Sequence, residues 1–183
     1  MSSQRQHEIP ETNEEKLAYA LKLKEEGNEF FKKADYLKAV KLYKTIFLYV
    51  TGLNSNLMSV MGGEAPRGSS IPLSEAEQLQ LTASLNLSQC YLKLDKYESA
   101  LTYAQRALKL EPNNIKGRLR RALAYLGLND IDNSERELNS VAKELPNDPL
   151  VKQGYKKLEE LKKQHRTKEK KMMQGIFSGL SSE

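Results

Sequence analysis

Residues 85–114, LNLSQCYLKLDKYESALTYAQRALKLEPNN, decide the fold. An apolar stretch through Cys90, Tyr91 and Leu92 reaches a short turn, Leu94-Asp95-Lys96-Tyr97. A second apolar stretch follows and closes on Glu111-Pro112-Asn113. The apolar residues recur at helical spacing, and proline ends the second helix because it cannot continue the hydrogen-bond ladder. The unit is therefore helix–turn–helix. It recurs: Tyr91-Leu92 returns as Tyr125-Leu126 and Pro112 as Pro146, each 34 residues on. An earlier unit matches at an offset of 61, with Phe30 on Tyr91, Tyr36 on Tyr97 and Ala39 on Ala100. That offset exceeds 34 by 27, so an insertion of 27 residues separates the first two units.

A 34-residue helix–turn–helix is the tetratricopeptide period. The predicted fold is all-α: a right-handed superhelix of three such repeats, at about 20–53, 81–114 and 115–148, plus a long C-terminal capping helix. Small residues (Gly27, Ala39, Ala100, Ala104, Ala107, Ala122) fall where helices must approach. Large ones (Phe30, Tyr36, Tyr43, Tyr91, Tyr97, Leu101, Tyr125) fall where they fill the gaps between repeats. Ser134 replaces the alanine of the first two repeats, which predicts looser packing there. The expected organisation is a disordered tail over 1–13, the repeat domain over 14–148, a capping helix over 149–174 and a flexible tail over 175–183. The insert, at about 52–73 and rich in Gly, Pro and Ser, reads as a mobile loop. Thr12-Asn13-Glu14-Glu15 and Ser74-Glu75-Ala76-Glu77 read as capping boxes. Val151, Tyr155, Leu158 and Leu161 form the seam with which the last helix covers the open end of the repeats.

Composition narrows the function. The 183 residues include one cysteine and two histidines, which excludes a disulfide framework and a CxxC site. His7 and His165 lie near opposite ends with no metal-ligand company. There is no GxxxxGK[ST] phosphate loop and no apolar run of about 20 residues. The N-terminus is polar, and mean hydropathy is −0.65. These features suit a soluble, cytoplasmic interaction protein without cofactor or metal. Net charge is +5. Nine Lys or Arg against three Glu lie between Leu150 and Gln174, so the preceding 149 residues are neutral. Nucleic acid is a poor fit for that basic end, because aromatics for base stacking are nearly absent. Cys90, within the first helix of its repeat, reads as a small buried hydrophobe.

The first helices of the repeats line one concave groove. Lys24 and Asn28 are four apart and share a face. Asn86 and Lys93 share one on the second repeat, and Lys116 and Arg120 on the third. Superposed in repeat register, the six fall on a single helical stripe. Four cations and two amides thus meet one groove, with Glu25 the one acid close to the stripe. Such a set suits an anion: a peptide ending in a carboxylate with an acidic side chain nearby.

The stretches KEEGNEFFKKADYLKAVKLY, LNLSQCYLKLDKYESALTYAQRALKLEPNN and KGRLRRALAYLGLND resemble tetratricopeptide domains of the dicarboxylate-clamp type found in co-chaperones. They are especially similar to the C-terminal repeat half of the large FK506-binding immunophilins. The resemblance implies a non-catalytic adaptor for the C-terminal EEVD peptide of Hsp90 or Hsp70. It implies clamp residues Lys24, Asn28, Asn86, Lys116 and Arg120, with Lys93 assisting. EKKMMQGIF resembles the stretch that ends the immunophilin repeat domain, where it is linked to calmodulin. The chain departs from the immunophilins in having about 13 residues before the repeats, so isomerase activity is not carried over. Its insert is more like that of the small stand-alone tetratricopeptide proteins grouped as family nine. Two alternatives stay open: a general scaffold whose clamp is unused, and the repeat fragment of an FKBP-type peptidyl-prolyl isomerase.

Overall fold

A computed structural model describes residues 10–51, 53 and 74–180. Apart from Leu53, whose N–H donates to the Val50 carbonyl, the expectations for the 52–73 insert, the N-terminal nine residues and 181–183 lie outside the described residues. Among those described there are seven helices: α1 (Asn13–Lys32), α2 (Tyr36–Val50), α3 (Glu75–Lys93), α4 (Tyr97–Leu110), α5 (Ile115–Gly127), α6 (Ile131–Glu144) and α7 (Pro149–Leu180). They stack as the antiparallel pairs α1–α2, α3–α4 and α5–α6, with α7 on the last pair. No described helix is long and apolar enough to cross a membrane.

Local chemistry fixes the helix ends. Thr12 and Ser74 cap α1 and α3, and in each box the glutamate three residues on, Glu15 or Glu77, reaches back to the cap's N–H. Asp35, Asn114 and Asp130 cap α2, α5 and α6 by accepting from the N–H three residues later. Asp148 accepts from the N–H groups of Leu150 and Val151, with Pro149 in the first turn where its missing donor costs nothing. The turns inside the pairs are alike. Ala34, Asp95 and Asn129 take left-handed φ of 58°, 54° and 59°. The following N–H of Asp35, Lys96 or Asp130 bonds back to Phe30, Tyr91 or Tyr125 at 2.9 Å. These residues are spaced by 61 and 34, the offsets of the repeats themselves.

Small residues let the pairs close. Ala39, Ala100, Ala104, Ala107 and Ala122 are fully buried. A Cβ on Gly27 would stand 2.6 Å from the Tyr43 ring. Ser134, expected to loosen the third repeat, is fully buried and donates to the Ala122 carbonyl at 3.1 Å. One repeat earlier Ser88 donates to the Ala100 carbonyl at 2.8 Å. The same two positions are bridged in both repeats, with serine and alanine exchanged between the helices. The buried hydroxyl has a partner, so packing is not loosened.

One apolar cluster joins α1 through α4 around Tyr43, Ile46 and Leu87. A second joins α5, α6 and α7 around Leu119, Leu138, Val151 and Leu158, with Tyr155 and Leu161 packed against it. The predicted seam of α7 therefore meets the third repeat. Lys162 adds an ion pair to Glu135 at 2.7 Å. The helix runs on to Leu180, six residues past its expected end at 174. Gly175 does not stop it. Its cost of about 1 kcal/mol is set against flanking residues such as Lys, Met and Gln that propagate a helix well.

Candidate functional site

Three of the six stripe residues share one cavity. Asn28 of α1, Asn86 of α3 and Arg120 of α5 line a space of about 400 Å³ on the inner face, together with Tyr43 and Gln89. Gly27 is what admits Tyr43: without a Cβ there, the ring lies on α1 and its hydroxyl donates to Asn28 Oδ1 at 2.7 Å. Asn86 Nδ2 donates to the same oxygen at 3.2 Å. Asn28 Oδ1 is thus occupied twice, and no described residue accepts from Asn28 Nδ2.

Arg120 and Lys32 are the cations that line this cavity. Arg120 Nε donates to Gln89 Oε1 at 3.0 Å, while Arg120 Nη1 is buried with no partner. No described carboxylate pairs with it. Arg121 next door also has an unpartnered Nε, but its charge is met by Glu137 at 2.5 Å. Burial pushes the Arg120 guanidinium down to about 10, against the opposing influence of Cys90 and Tyr43. It is still fully charged at neutral pH. Glu25 and Glu29 also line the cavity, and Glu29 is held by Lys32 at 2.7 Å. The site is a set of unused N–H donors around a desolvated cation, which calls for an acceptor-rich anion.

The remaining predicted residues stand apart from that cavity. Lys24 is partly buried one turn before Asn28, and Lys116 is exposed one turn before Arg120. Neither lines the cavity. Lys93 is exposed and lines a second space of about 210 Å³, walled by Leu92, Leu123, Leu126 and Leu150 and rimmed by Lys157 of α7. Sequence reasoning missed Tyr43, Gln89 and Lys157. Gln89 was within reach, because it lies three residues after Asn86 on one helix face. Cys90 is fully buried behind this face, and burial raises its thiol to about 12.

A family model described as tetratricopeptide repeat matches residues 91–158. The C-terminal TPR-containing domain of a Plasmodium falciparum FK506-binding protein superposes with a TM-score of 0.71 at 25% identity, covering 86% of this chain and 97% of that one. The chain folds as a tetratricopeptide-repeat domain. Among curated relatives, the peptidyl-prolyl cis-trans isomerase FKBP4 of Bos taurus is 30% identical over 172 residues, 94% of this chain and 35% of that protein. The repeat domain thus spans about a third of the length of the curated relatives it matches. The first TPR of Spaghetti (RPAP3), solved with the HSP90 peptide SRMEEVD, shares the fold at a TM-score of 0.57 and 20% identity, over 78% and 92% of the two chains. The second TPR domain of human RPAP3, solved with the HSP70 peptide SGPTIEEVD, does so at 0.54 and 21%, over 80% and 98%. Tetratricopeptide repeats are interaction modules.

Proposed function

We propose that this repeat domain is a non-catalytic cytosolic adaptor that holds the acidic C-terminal peptide of Hsp90 or Hsp70. Asn28, Asn86 and Arg120 form the floor of the clamp. Lys24 and Lys116, each one turn away on the same helices, close over the ligand, and Lys93 meets its upstream part. The observation that carries the reading is Arg120, a half-buried cation lining the cavity, with no described acid of its own and one guanidinium nitrogen, Nη1, without a partner. A carboxylate supplies the missing partner, and charge-assisted bonds contribute about 1.5–3 kcal/mol each. Three or four such bonds approach the roughly 8 kcal/mol of a micromolar complex. The solved domains that hold SRMEEVD and SGPTIEEVD support the same ligand chemistry, since both peptides end in EEVD.

The calmodulin expectation at α7 gains no support from the relatives. Isomerase activity is a property of the longer relatives and is not part of the proposal. Titration calorimetry with SRMEEVD as free acid and as C-terminal amide tests the reading. Micromolar binding of the acid and at least tenfold weaker binding of the amide are expected. Equal binding of the two, or none, would leave the scaffold reading in its place.

A further inference from the structure

Gln89 is the one described residue that lines both cavities of the inner face. It stands on α3, and its Oε1 accepts from Arg120 Nε at 3.0 Å. Nε is the guanidinium nitrogen on the side of the aliphatic stem. A bond there fixes the plane of the group while leaving the two Nη nitrogens for other partners. Nη1, buried and unpartnered, is one of them.

The chemistry of the acceptor matters as much as its place. A carboxylate on Arg120 Nε would orient the guanidinium equally well but would also answer its charge, as Glu137 does for Arg121 at 2.5 Å. Glutamine orients without neutralising. It is the same length as glutamate, so the contrast rests on charge alone.

We infer that Gln89 is a positioning residue for a carboxylate-terminated ligand: a neutral acceptor that aims the Arg120 fork and leaves its charge for the ligand. The inference rests on the carboxylate-binding reading above. It predicts that Gln89→Glu, which keeps the bond and adds a charge, silences the cavity from within. Gln89→Met, which keeps the length and removes the acceptor, lets the fork swing.

Calorimetry with SRMEEVD, as free acid and as C-terminal amide, is run on the wild type and both variants, together with thermal melts. Gln89→Met should bind the free acid about fivefold more weakly, the cost of one hydrogen bond. Gln89→Glu should bind it more than tenfold more weakly while melting no lower than the wild type. Amide binding should change little in either. If Gln89→Glu binds the free acid like the wild type, or if both variants weaken acid and amide alike, Gln89 has only a structural role and the inference is wrong. If the wild type itself does not distinguish acid from amide, the carboxylate-binding reading fails and takes this inference with it.

Discussion

Gly127 lies so close to Tyr97 that a Cβ on it would stand 2.1 Å from the ring's Cδ1 and 2.2 Å from Cγ. These atoms are the root of the side chain rather than its flexible end, so the ring can yield only by leaving its rotamer or by moving α4. Gly127→Ala gains about 1 kcal/mol of helix propensity against an overpacking cost of about 1–3 kcal/mol. The expected result is a net loss of stability, read as a fall in melting temperature of about 2–4 °C per kcal/mol. Gly175 has nothing within 4 Å of its would-be Cβ, so Gly175→Ala keeps the propensity gain. A scan in which the two variants shift the same way would refute this account.

Arg120 and Lys116 share a stripe in sequence but differ in burial, and their substitutions should separate. Arg120→Met removes the half-buried, half-partnered cation while keeping its apolar stem, so stability should hold or rise. Affinity for a free-acid EEVD peptide should fall at least tenfold. Lys116→Ala, at an exposed position, should leave stability within about 0.5 kcal/mol and cost about 1 kcal/mol of affinity or less. Equal losses of affinity would mean that Lys116 is drawn into the cavity on binding.

Binding should respond to pH in a defined direction. Burial lowers Arg120 only to about 10, so its guanidinium stays charged from pH 6 to pH 9. Affinity should be flat there. It should fall below about 4, when the ligand carboxylates gain their protons. A transition near pH 6–7 would point to a histidine and against this assignment.

Cys90 offers a check on the core. Its thiol is buried and raised from 9.0 to about 12. It should resist alkylation at pH 8 in the native protein and react on unfolding. The sign for stability follows. Below about pH 9 the thiol is protonated in both states. Above it the unfolded thiol ionises while the folded one does not, so stability declines from about pH 9 toward 12. Tyr43, raised from 10.0 to about 12 by burial, adds to the decline. Rapid labelling of the folded protein at pH 8 would show that the first and second repeats open there.

Leu158, 1% exposed, is the centre of the α7 seam. Leu158→Ala should cost about 2–5 kcal/mol, whereas Glu135→Gln, which removes a partly exposed ion pair, should cost under about 1 kcal/mol. Denaturant melts compare the two. Ending the chain at Pro149 bares the same face and should bring aggregation. A monodisperse truncated protein of unchanged stability would contradict a capping role.

The fold was legible because its geometry is written as spacing. The offsets of 61 and 34 that align Phe30, Tyr91 and Tyr125 also align Ala34, Asp95 and Asn129, whose left-handed turns set each helix pair. Asn28, Asn86 and Arg120 were legible by the same route. Tyr43 and Lys157 were not, because their arrival at the inner face depends on how α2 and α7 pack. A one-dimensional stripe carries nothing of that packing. Ser134 was misread for a related reason. A polar residue in a small-residue position looks like a defect until the carbonyl of Ala122 is seen to face it.

Among the described residues, each helix touches only its first and second neighbours along the chain, and nothing joins α1 to the far end. A body held by contacts of short sequence separation gathers its core quickly and needs no late docking of distant segments. Its middle helices are the best flanked among those described. Amide protons of α3 and α4, with partners on both sides, should exchange most slowly, and protection should thin toward α1 and α7. The inner cavity takes Asn28 from near one end and Asn86 and Arg120 from the middle. A ligand bound there would therefore act as a staple, slowing exchange in α1 more than in α6.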